Sequence, residues 1–212
     1  ETPELTKMAK DSGLTDKEID EAIEVAIVQA TRWTLSADGD PKQKFDALVV
    51  MYGRQPNLST RTADSKVNQA YSTPAPLAYV AQVLGKIPTG KKVVEPTVGN
   101  GMLVTAAKGE IVANELDPAR ADQFEQTYGV VPTQIDATSE GYHESLVMEA
   151  PDRAAMNPPF GNRMGEEGTD RFTIFNSTVA KQETPSLDHA IISGRGDRRC
   201  AARARNPRRD AR

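Results

Sequence analysis

Apolar residues recur at helical spacing near the start of the chain and predict a first helix over residues 15–33. Its beginning is marked by Thr15 with Glu18 three positions later, a pattern typical of a capping box. The predicted apolar face comprises Ile19, Ala22, Ile23, Ala26, Ile27, Ala30 and Trp33. The predicted polar face comprises Asp16, Asp20, Glu21 and Glu24. A helix of this kind buries one side and turns the other to water.

A second helix is predicted from Pro41 to about Gly53, because Asp40 is a capping residue directly before a proline. Residues 1–56 are therefore predicted to form an N-terminal helical region. Apolar stripes at this spacing usually belong to a core, which favours packing against the domain that follows. A partner-binding module is the alternative.

The pattern changes in residues 57–192, where short apolar runs alternate with helical segments. Polar residues 54–70 predict a loop, and Thr73 before Pro74 predicts the start of a helix over about 74–86. Strands are predicted over 92–95, 111–115, 130–135 and 153–156. Helices are predicted between them over about 101–108, from Pro118 to near Gly129, and over 139–149. This alternation predicts an α/β, Rossmann-like fold with a partial parallel sheet of about four strands.

The end of the chain has no sustained period. Residues 161–170 are predicted to be a loop, and Pro185 with Ser186 predicts a short helix over 185–192. Residues 193–212 contain eight arginines against two aspartates and are predicted to be a disordered tail. Binding of a phosphate backbone is an alternative for such a run, and so is a frame-shifted or artificial end.

The distribution of charge narrows the possible partners. The net charge is −4, to which residues 193–212 contribute +6 and residues 1–192 contribute −10. General polyanion binding by the body of the protein is therefore excluded by charge. Any nucleic-acid contact must come from a local patch or from a domain outside this chain.

The hydropathy of the chain and its few cysteine and histidine residues limit the possible cellular location and the possible kinds of site. The mean hydropathy is −0.54, and no stretch approaches the roughly 20 apolar residues that span a bilayer, so no membrane contact is predicted. The only cysteine is Cys200, which excludes a disulfide framework and favours a cytoplasmic location. His143 and His189 lack the spacing of metal ligands, so we expect structural or surface roles and no metal site.

A polar side chain stands at the end of each predicted strand. These residues are Glu95, Glu115, Asp136 and Asn157. Because ligands bind at the carboxyl ends of parallel strands, we expect the four side chains to line one site. Each has a simpler alternative, which for Glu115 is a solvated carboxylate and for Asp136 a turn residue.

A glycine turn follows the first predicted strand. Gly99 and Gly101 allow the backbone to approach a ligand closely, although an ordinary strand–helix turn is the alternative. Glu95 before the turn suits an ammonium group rather than a pyrophosphate, and no Gly-Lys-Ser/Thr stretch marks a phosphate loop. Glu115 can accept hydrogen bonds from both ribose hydroxyls, and Asp136 from an adenine amino group. Together these roles favour S-adenosylmethionine as the cofactor.

The sharpest signal is the turn after the fourth predicted strand, Asn157-Pro158-Pro159-Phe160. Two prolines stiffen this turn, so the side-chain oxygen of Asn157 and the main-chain oxygen of Pro158 can hold one amino group. Phe160 offers a flat face on which a base can stack. The arrangement predicts methyl transfer to an exocyclic amine, and a purely structural turn is the alternative.

Five stretches resemble, in order, the motifs of the gamma-type DNA adenine-N6 methyltransferases. They are residues 70–77 (motif X), 94–101 (motif I), 113–118 (motif II), 135–137 (motif III) and 157–160 (motif IV). The Tyr-Ser-Thr-Pro run that contains Tyr71 and Thr73 resembles, more narrowly, the methylase part of large phage and plasmid methylase–helicase antirestriction proteins. The match covers about residues 69–160.

The resemblance implies a class I methyltransferase fold, with residues 157–160 as the catalytic turn. It implies binding of S-adenosylmethionine by Tyr71, Thr73, Glu95, Thr97, Gly99, Gly101, Glu115 and Asp136. The methyl acceptor would be N6 of an adenine flipped out of DNA, read by a fused or partner helicase or recognition domain outside this chain. The family's sheet has more strands, so residues 57–192 are expected to form a C-terminally incomplete domain. An RNA guanine or protein glutamine acceptor is an alternative, and so is a truncated, non-catalytic cofactor-binding module.

Overall fold

A three-stranded parallel sheet organises the part of the chain that the structure describes. In this computed structural model the described residues are 7–8, 10–55, 73–159, 164–165, 168–169, 172–174, 182–184 and 191. The strands are β1 (Val93–Glu95), β2 (Ile111–Ala113) and β3 (Arg153–Ala154), in the order β2-β1-β3. All residues of β1 are buried, as expected for the middle strand of a sheet covered on both faces. The described architecture is α/β and compatible with a Rossmann-like fold.

The predicted strand over 130–135 is wrong in extent. It is reduced to one parallel bridge, between Asn114 and Thr133, beside β2. Pro132 offers no backbone N–H to a ladder, which interrupts regular pairing. The buried side chain of Asn114 takes over, donating to the carbonyl of Ile135 and accepting from its N–H at 2.9 and 3.0 Å. The sheet therefore has three strands and a bridge where about four strands were predicted.

Five helices are described, and most begin where the sequence predicts. They are α1 (Asp16–Ser36), α2 (Pro41–Tyr52), α3 (Ala75–Leu84), α4 (Pro118–Tyr128) and α5 (Glu140–Glu149). Both predicted front helices start with complete capping boxes, formed by Thr15 with Glu18 and by Asp40 with Gln43. The prediction of these two helices is therefore confirmed.

The helix predicted over 101–108 is wrong, because only a 3₁₀ turn forms there, at Met102–Val104. The reason lies in α3, whose buried Gln82 replaces the missing helical hydrogen bonds. Its Nε2 donates to the Met102 carbonyl at 3.2 Å, and its Oε1 accepts from the Ala106 N–H at 2.7 Å. A long-range side chain thus satisfies backbone groups that a helix would otherwise pair internally.

The front helices share one hydrophobic core with the sheet. The core joins Val28 and Leu35 of α1, Leu48 of α2, Ala78 and Tyr79 of α3, Val93 of β1 and Phe124 of α4. The N-terminal region is therefore packed against the domain that follows it, and the sheet is covered from that side.

The buried face of α1 differs from the predicted one. Ile19, Val28, Thr31 and Leu35 are buried, whereas Trp33 is 77% exposed. The alanines of the predicted apolar face cover little apolar area, so the larger Val28 and Leu35 decide the orientation of the helix. Glu21 and Glu24, predicted to face water, are turned toward α4 and pair with Arg120.

Two short antiparallel hairpins follow the parallel sheet. β4 (Met164–Gly165) pairs with β5 (Gly168–Thr169), and β6 (Phe172–Ile174) pairs with β7 (Gln182–Thr184). The loop prediction over 161–170 is therefore wrong at the paired positions, where the runs are too short to show a period. Two further predictions lie outside the described residues. They are the helix over 185–192, of which only Ile191 is described, and the tail over 193–212. No helix in the described ranges is long and apolar enough to cross a bilayer.

Candidate functional site

The sheet brings three of the predicted site residues to one edge. Glu95 is the last residue of β1, Glu115 follows β2, and Asn157 follows β3. Since β1 pairs in parallel with both neighbours, and Glu95 lies opposite Ala113, the three chain segments leave the sheet on the same side. This edge, formed by the carboxyl ends of the strands, is the usual ligand-binding edge of an open α/β sheet.

Glu95 is the most unusual of these residues, because its carboxyl group is almost completely buried, with 1% of the residue exposed. One oxygen, Oε1, accepts a hydrogen bond from the Thr97 N–H at 3.3 Å. The other oxygen and the Tyr142 hydroxyl are buried without a hydrogen-bond partner among the described residues. The Thr97 hydroxyl is buried beside Glu95, close enough to lower the pKa of its carboxyl group, but not in good hydrogen-bond geometry. A buried polar atom left unpaired costs free energy, so this cluster is suited to a ligand that donates hydrogen bonds.

Burial also changes the ionisation of this cluster. It raises the pKa of Glu95 to about 8, against 4.5 for an ordinary glutamate, and Glu115 nearby adds to the effect. The pKa of the Tyr142 hydroxyl is raised as well, first by burial and then by Glu95. The carboxylate form of Glu95 is therefore disfavoured, because no positive charge among the described residues compensates it.

The glycine turn is fixed by two side chains. Gly99 and Gly101 have φ angles of +51° and +89°, in the region that favours glycine. The Gly99 N–H donates to Glu115 Oε2 at 2.7 Å, and the Tyr128 hydroxyl donates to the Gly101 carbonyl at 2.6 Å. A Cβ atom on Gly101 would lie 2.4 Å from the Tyr128 ring, so this position has room only for glycine. Glu115 and Tyr128 thus hold the turn from opposite sides.

Glu115 is engaged by backbone donors rather than solvated. Besides the Gly99 N–H it accepts from the Asp117 N–H at 2.9 Å, through Oε1. Each carboxylate oxygen has a further acceptor site, so these bonds leave room for ribose hydroxyls. Asp136 acts as a turn residue, since its Oδ1 accepts from the N–H and hydroxyl of Thr138 at 2.9 and 2.6 Å. A role of Asp136 toward adenine stays a prediction.

Asn157 contacts Thr73, a residue 84 positions earlier in the chain. Its Nδ2 donates to the Thr73 hydroxyl at 3.0 Å. This bond fixes the orientation of the amide, with Oδ1 turned away from Thr73. Pro158 is buried and Asn157 is exposed, so the turn is anchored by one residue and presents the other. Pro159 follows, half-buried, whereas Tyr71 and Phe160 lie outside the described residues.

Four residues near the turn were not predicted as site residues, namely Glu21, Glu24, Asn100 and Arg120. They form an ion-pair cluster between α1 and the glycine turn. One signal in the sequence could have indicated it. Arg120 falls in the first turn of α4, where the helix dipole disfavours a cation unless acidic side chains lie close by.

Two cavities lie away from the strand tips. One of about 440 Å³ is lined by Arg32, Lys108, Tyr128 and the start of β2, at the end opposite to Glu115. Another of about 460 Å³ lies between α1 and α2. The candidate site is instead formed by the buried oxygen of Glu95 with the Thr97 and Tyr142 hydroxyls, since an open strand edge binds ligands without an enclosed cavity.

The described residues contain no group of three histidine, cysteine or acidic side chains that could hold a metal ion. His143 is half-buried and packs edge-on against Tyr142, with ring centroids 5.8 Å apart. His189 and Cys200 lie outside the described residues.

Comparison of the chain with protein-family models, with curated proteins and with solved structures finds no match.

Proposed function

We propose that this chain is the catalytic part of an S-adenosylmethionine-dependent amino-methyltransferase with a class I methyltransferase fold. The observation that carries the proposal is the buried, unpaired carboxyl oxygen of Glu95 at the tip of the middle strand. The ammonium group of a methionine moiety supplies both the hydrogen bonds and the positive charge that such an oxygen lacks. A dinucleotide pyrophosphate would place like charges together there.

The neighbouring residues fit the rest of such a cofactor. Thr97 and Tyr142 add hydroxyls beside Glu95 that have no other partner among the described residues. Glu115 lies one strand away and accepts from the Gly99 N–H, so its further acceptor sites would bind the ribose. Asp136 follows the bridge at Thr133 and would accept from the adenine amino group. The cofactor carboxylate would be held near Tyr71 and Thr73, before α3. S-adenosylmethionine supplies an electrophilic methyl group on a sulfonium.

The turn over residues 157–160 would hold the methyl acceptor. The contact with Thr73 orients the Asn157 amide so that Oδ1 can accept from an amino group. The main-chain oxygen of Pro158 provides a second acceptor, and Phe160 a stacking surface. Two acceptors at one amine fix its position and aim its lone pair, which accelerates the transfer by proximity and orientation.

We infer that the acceptor is N6 of adenine in DNA, in the cytoplasm of a cell. The inference rests on the order of the stretches, with the Tyr71–Thr73 segment before the glycine turn, as in the gamma-type enzymes. Residues 1–192 carry a net charge of −10, so DNA contacts depend on a local patch, on the arginines of residues 193–212, or on a helicase or recognition domain outside this chain. RNA guanine and protein glutamine are the alternative acceptors, and an assay of methyl incorporation can compare them with DNA.

A non-catalytic cofactor-binding module is the second candidate. It is favoured by the small size of the described parallel sheet, whose strands have at most three residues each. Cofactor binding without methyl transfer to any acceptor would distinguish this candidate from the enzyme.

Calorimetry with S-adenosylmethionine tests the cofactor site. Wild type should bind, and Glu95→Gln should lose most of the affinity because a neutral amide cannot pair with the ammonium. The matched control is Glu125→Gln, an exposed glutamate on α4. Absence of binding by wild type, or equal binding by Glu95→Gln, would contradict the proposed site.

Methyl incorporation into unmethylated DNA tests the reaction. Asn157→Ala should lower kcat by at least about a hundredfold, since loss of one oriented contact costs that much in positioned reactions. Because Asn157 is exposed, the melting temperature of the variant should stay near that of wild type. Equal incorporation by wild type and Asn157→Ala would exclude the proposed role of this turn.

A further inference from the structure

A cluster of two carboxylates, an arginine and an asparagine joins α1 to the glycine turn. Arg120 Nε donates to Glu21 Oε1 at 3.2 Å, and Arg120 Nη2 donates to Glu24 Oε2 at 3.3 Å. Asn100, inside the turn, donates through Nδ2 to Glu21 and Glu24 at 3.3 and 3.1 Å. We call Glu21 and Glu24 the acidic pair. It contacts the turn and the helix after it at the same time.

The cluster is largely removed from water. The side chains of Arg120, Glu21 and Glu24 are 13%, 21% and 17% exposed, and Asn100 is buried. Removing one partner from a buried ion pair is costly, because the remaining charge stays without compensation. The two carboxylates also repel each other, so their arrangement depends on Arg120 and on the Asn100 amide. The cluster holds Asn100, a residue of the turn itself, through two hydrogen bonds to carboxylates.

Arg120 also lies beside the residues proposed to hold the cofactor. A Cβ atom on Gly99 would lie 3.5 Å from Arg120 Nη1, so the guanidinium lines the turn. Burial on its own would lower the pKa of Arg120, but Glu21, Glu24 and Glu115 outweigh it and raise the pKa. Glu115 is therefore within electrostatic reach of this cation, although no direct salt bridge joins the two among the described contacts.

We propose that Glu21 and Glu24 are positioning residues of the cofactor site. By binding Asn100 they fix the glycine turn, and by binding Arg120 they keep its cation from pairing with Glu115. The effect on the cofactor rests on the proposed function, whereas the effect on the turn does not. Without the acidic pair, Arg120 turns to Glu115 and competes with the Gly99 N–H and with the ribose for its oxygens.

Hydrogen exchange tests the turn directly and needs no cofactor. The variant is Glu21→Gln with Glu24→Gln. The control is Asp20→Asn on the same helix, which removes a carboxylate near Asp16, Glu21 and Lys10 but leaves both members of the acidic pair in place. Amides of residues 97–105 should exchange about tenfold faster in the double variant, the effect of one lost charge-assisted hydrogen bond. Exchange equal to that of Asp20→Asn would overturn the proposal.

Calorimetry with S-adenosylmethionine tests the consequence for the ligand. Affinity should fall about tenfold in the double variant, remain unchanged in Asp20→Asn, and recover in part when Arg120→Met removes the unpaired cation as well. A merely structural role predicts a lower melting temperature with unchanged affinity below the transition, and that result would overturn the positioning role. If the double variant does not unfold cooperatively, the single variants Glu21→Gln and Glu24→Gln carry both measurements, with the same direction of change expected in each.

The two hypotheses fail in different ways. Absence of binding by wild type contradicts the proposed function, and the exchange measurement then decides alone whether the acidic pair fixes the turn. Binding by wild type together with unchanged binding by the double variant contradicts only the role of the acidic pair.

Discussion

At the scale of single residues, the burial of Glu95 has a stability cost that depends on pH. A carboxyl group whose pKa is about 8 in the folded protein and 4.5 when unfolded binds its proton more tightly in the native state. Its contribution to stability is fully present below the unfolded pKa and is lost as the pH rises through the folded pKa. A group that destabilises the free protein at alkaline pH is typical of a binding site.

Glu95→Gln should therefore stabilise the protein above the raised pKa, although it should lose most of the proposed affinity for S-adenosylmethionine. The amide keeps the size of the side chain without ionising, so the melting temperature should rise by roughly 3 °C or more at alkaline pH. The gain should shrink when the pH falls below the raised pKa. Thermal melts of both proteins across this window check the prediction, and a gain that is independent of pH would contradict it.

Gly101 is constrained by packing rather than by charge, because the Tyr128 and Phe124 rings fill the space that a side chain would need. Gly101→Ala places Cβ 2.4 Å from the Tyr128 ring at a φ of +89°, so stability should fall by about 3 kcal/mol. Gly129→Ala is the matched control. Its φ is +68° and nothing lies within 4 Å of the new Cβ, so only the backbone cost of about 1 kcal/mol applies. If denaturant unfolding shows the same loss of free energy of unfolding in both variants, the Tyr128 ring moves aside at little cost.

At the scale of elements, the segment after the glycine turn depends on α3. Gln82→Leu removes the side chain that pairs with the backbone of Met102 and Ala106. Because those groups are then unpaired, we expect a loss of about 2–3 kcal/mol in urea unfolding. Gln123→Leu is the control, since Gln123 Oε1 is already buried without a partner among the described residues. A comparable loss in both variants would indicate packing rather than hydrogen bonding.

Local signals predicted the beginnings of elements well. Thr15, Asp40 and Asp117 each accept the hydrogen bonds that their positions before a helix indicated. The failures share a different cause, because they depend on partners far along the chain. Asn114 replaces a strand ladder, and Gln82 replaces a helix, through contacts about 20 residues away. Contacts of this kind leave no periodic pattern of apolar and polar residues in the sequence.

The same distinction applies to the candidate site. The strand-end positions of Glu95, Glu115 and Asn157 follow from alternation of strands and helices, and the structure gathers them at one edge. The burial of Glu95 and the ion pairs of Arg120 with α1, 96 and 99 residues away, follow only from the tertiary fold. The residue types indicated which ligand groups the site could bind. The burial and the ion pairs that set the strength of these interactions followed only from the packing.

At the scale of the whole molecule, the N-terminal helices and the sheet are interdependent. Val28, Leu35 and Leu48 lie in the same core as Val93 and Phe124. Removing them would uncover apolar surface along one side of the sheet, and each buried side chain of this size contributes about 1.5–3 kcal/mol. That loss is comparable to the total stability of a typical domain.

A chain lacking residues 1–56 should therefore not unfold cooperatively. Circular dichroism during heating checks this, with the full chain as reference. A cooperative transition of the shortened chain at the same temperature would show that residues 57–212 form an independent core.

The exposed position of Trp33 has a practical consequence for all of these measurements. It is the only tryptophan and is 77% exposed on α1, so its indole is already in water when the protein is folded. Its fluorescence will change little when the core opens, and an emission-based melting curve would make a fully cooperative transition look weak. Spectroscopists should follow the tyrosines instead, because Tyr79 and Tyr142 pass from the interior to solvent.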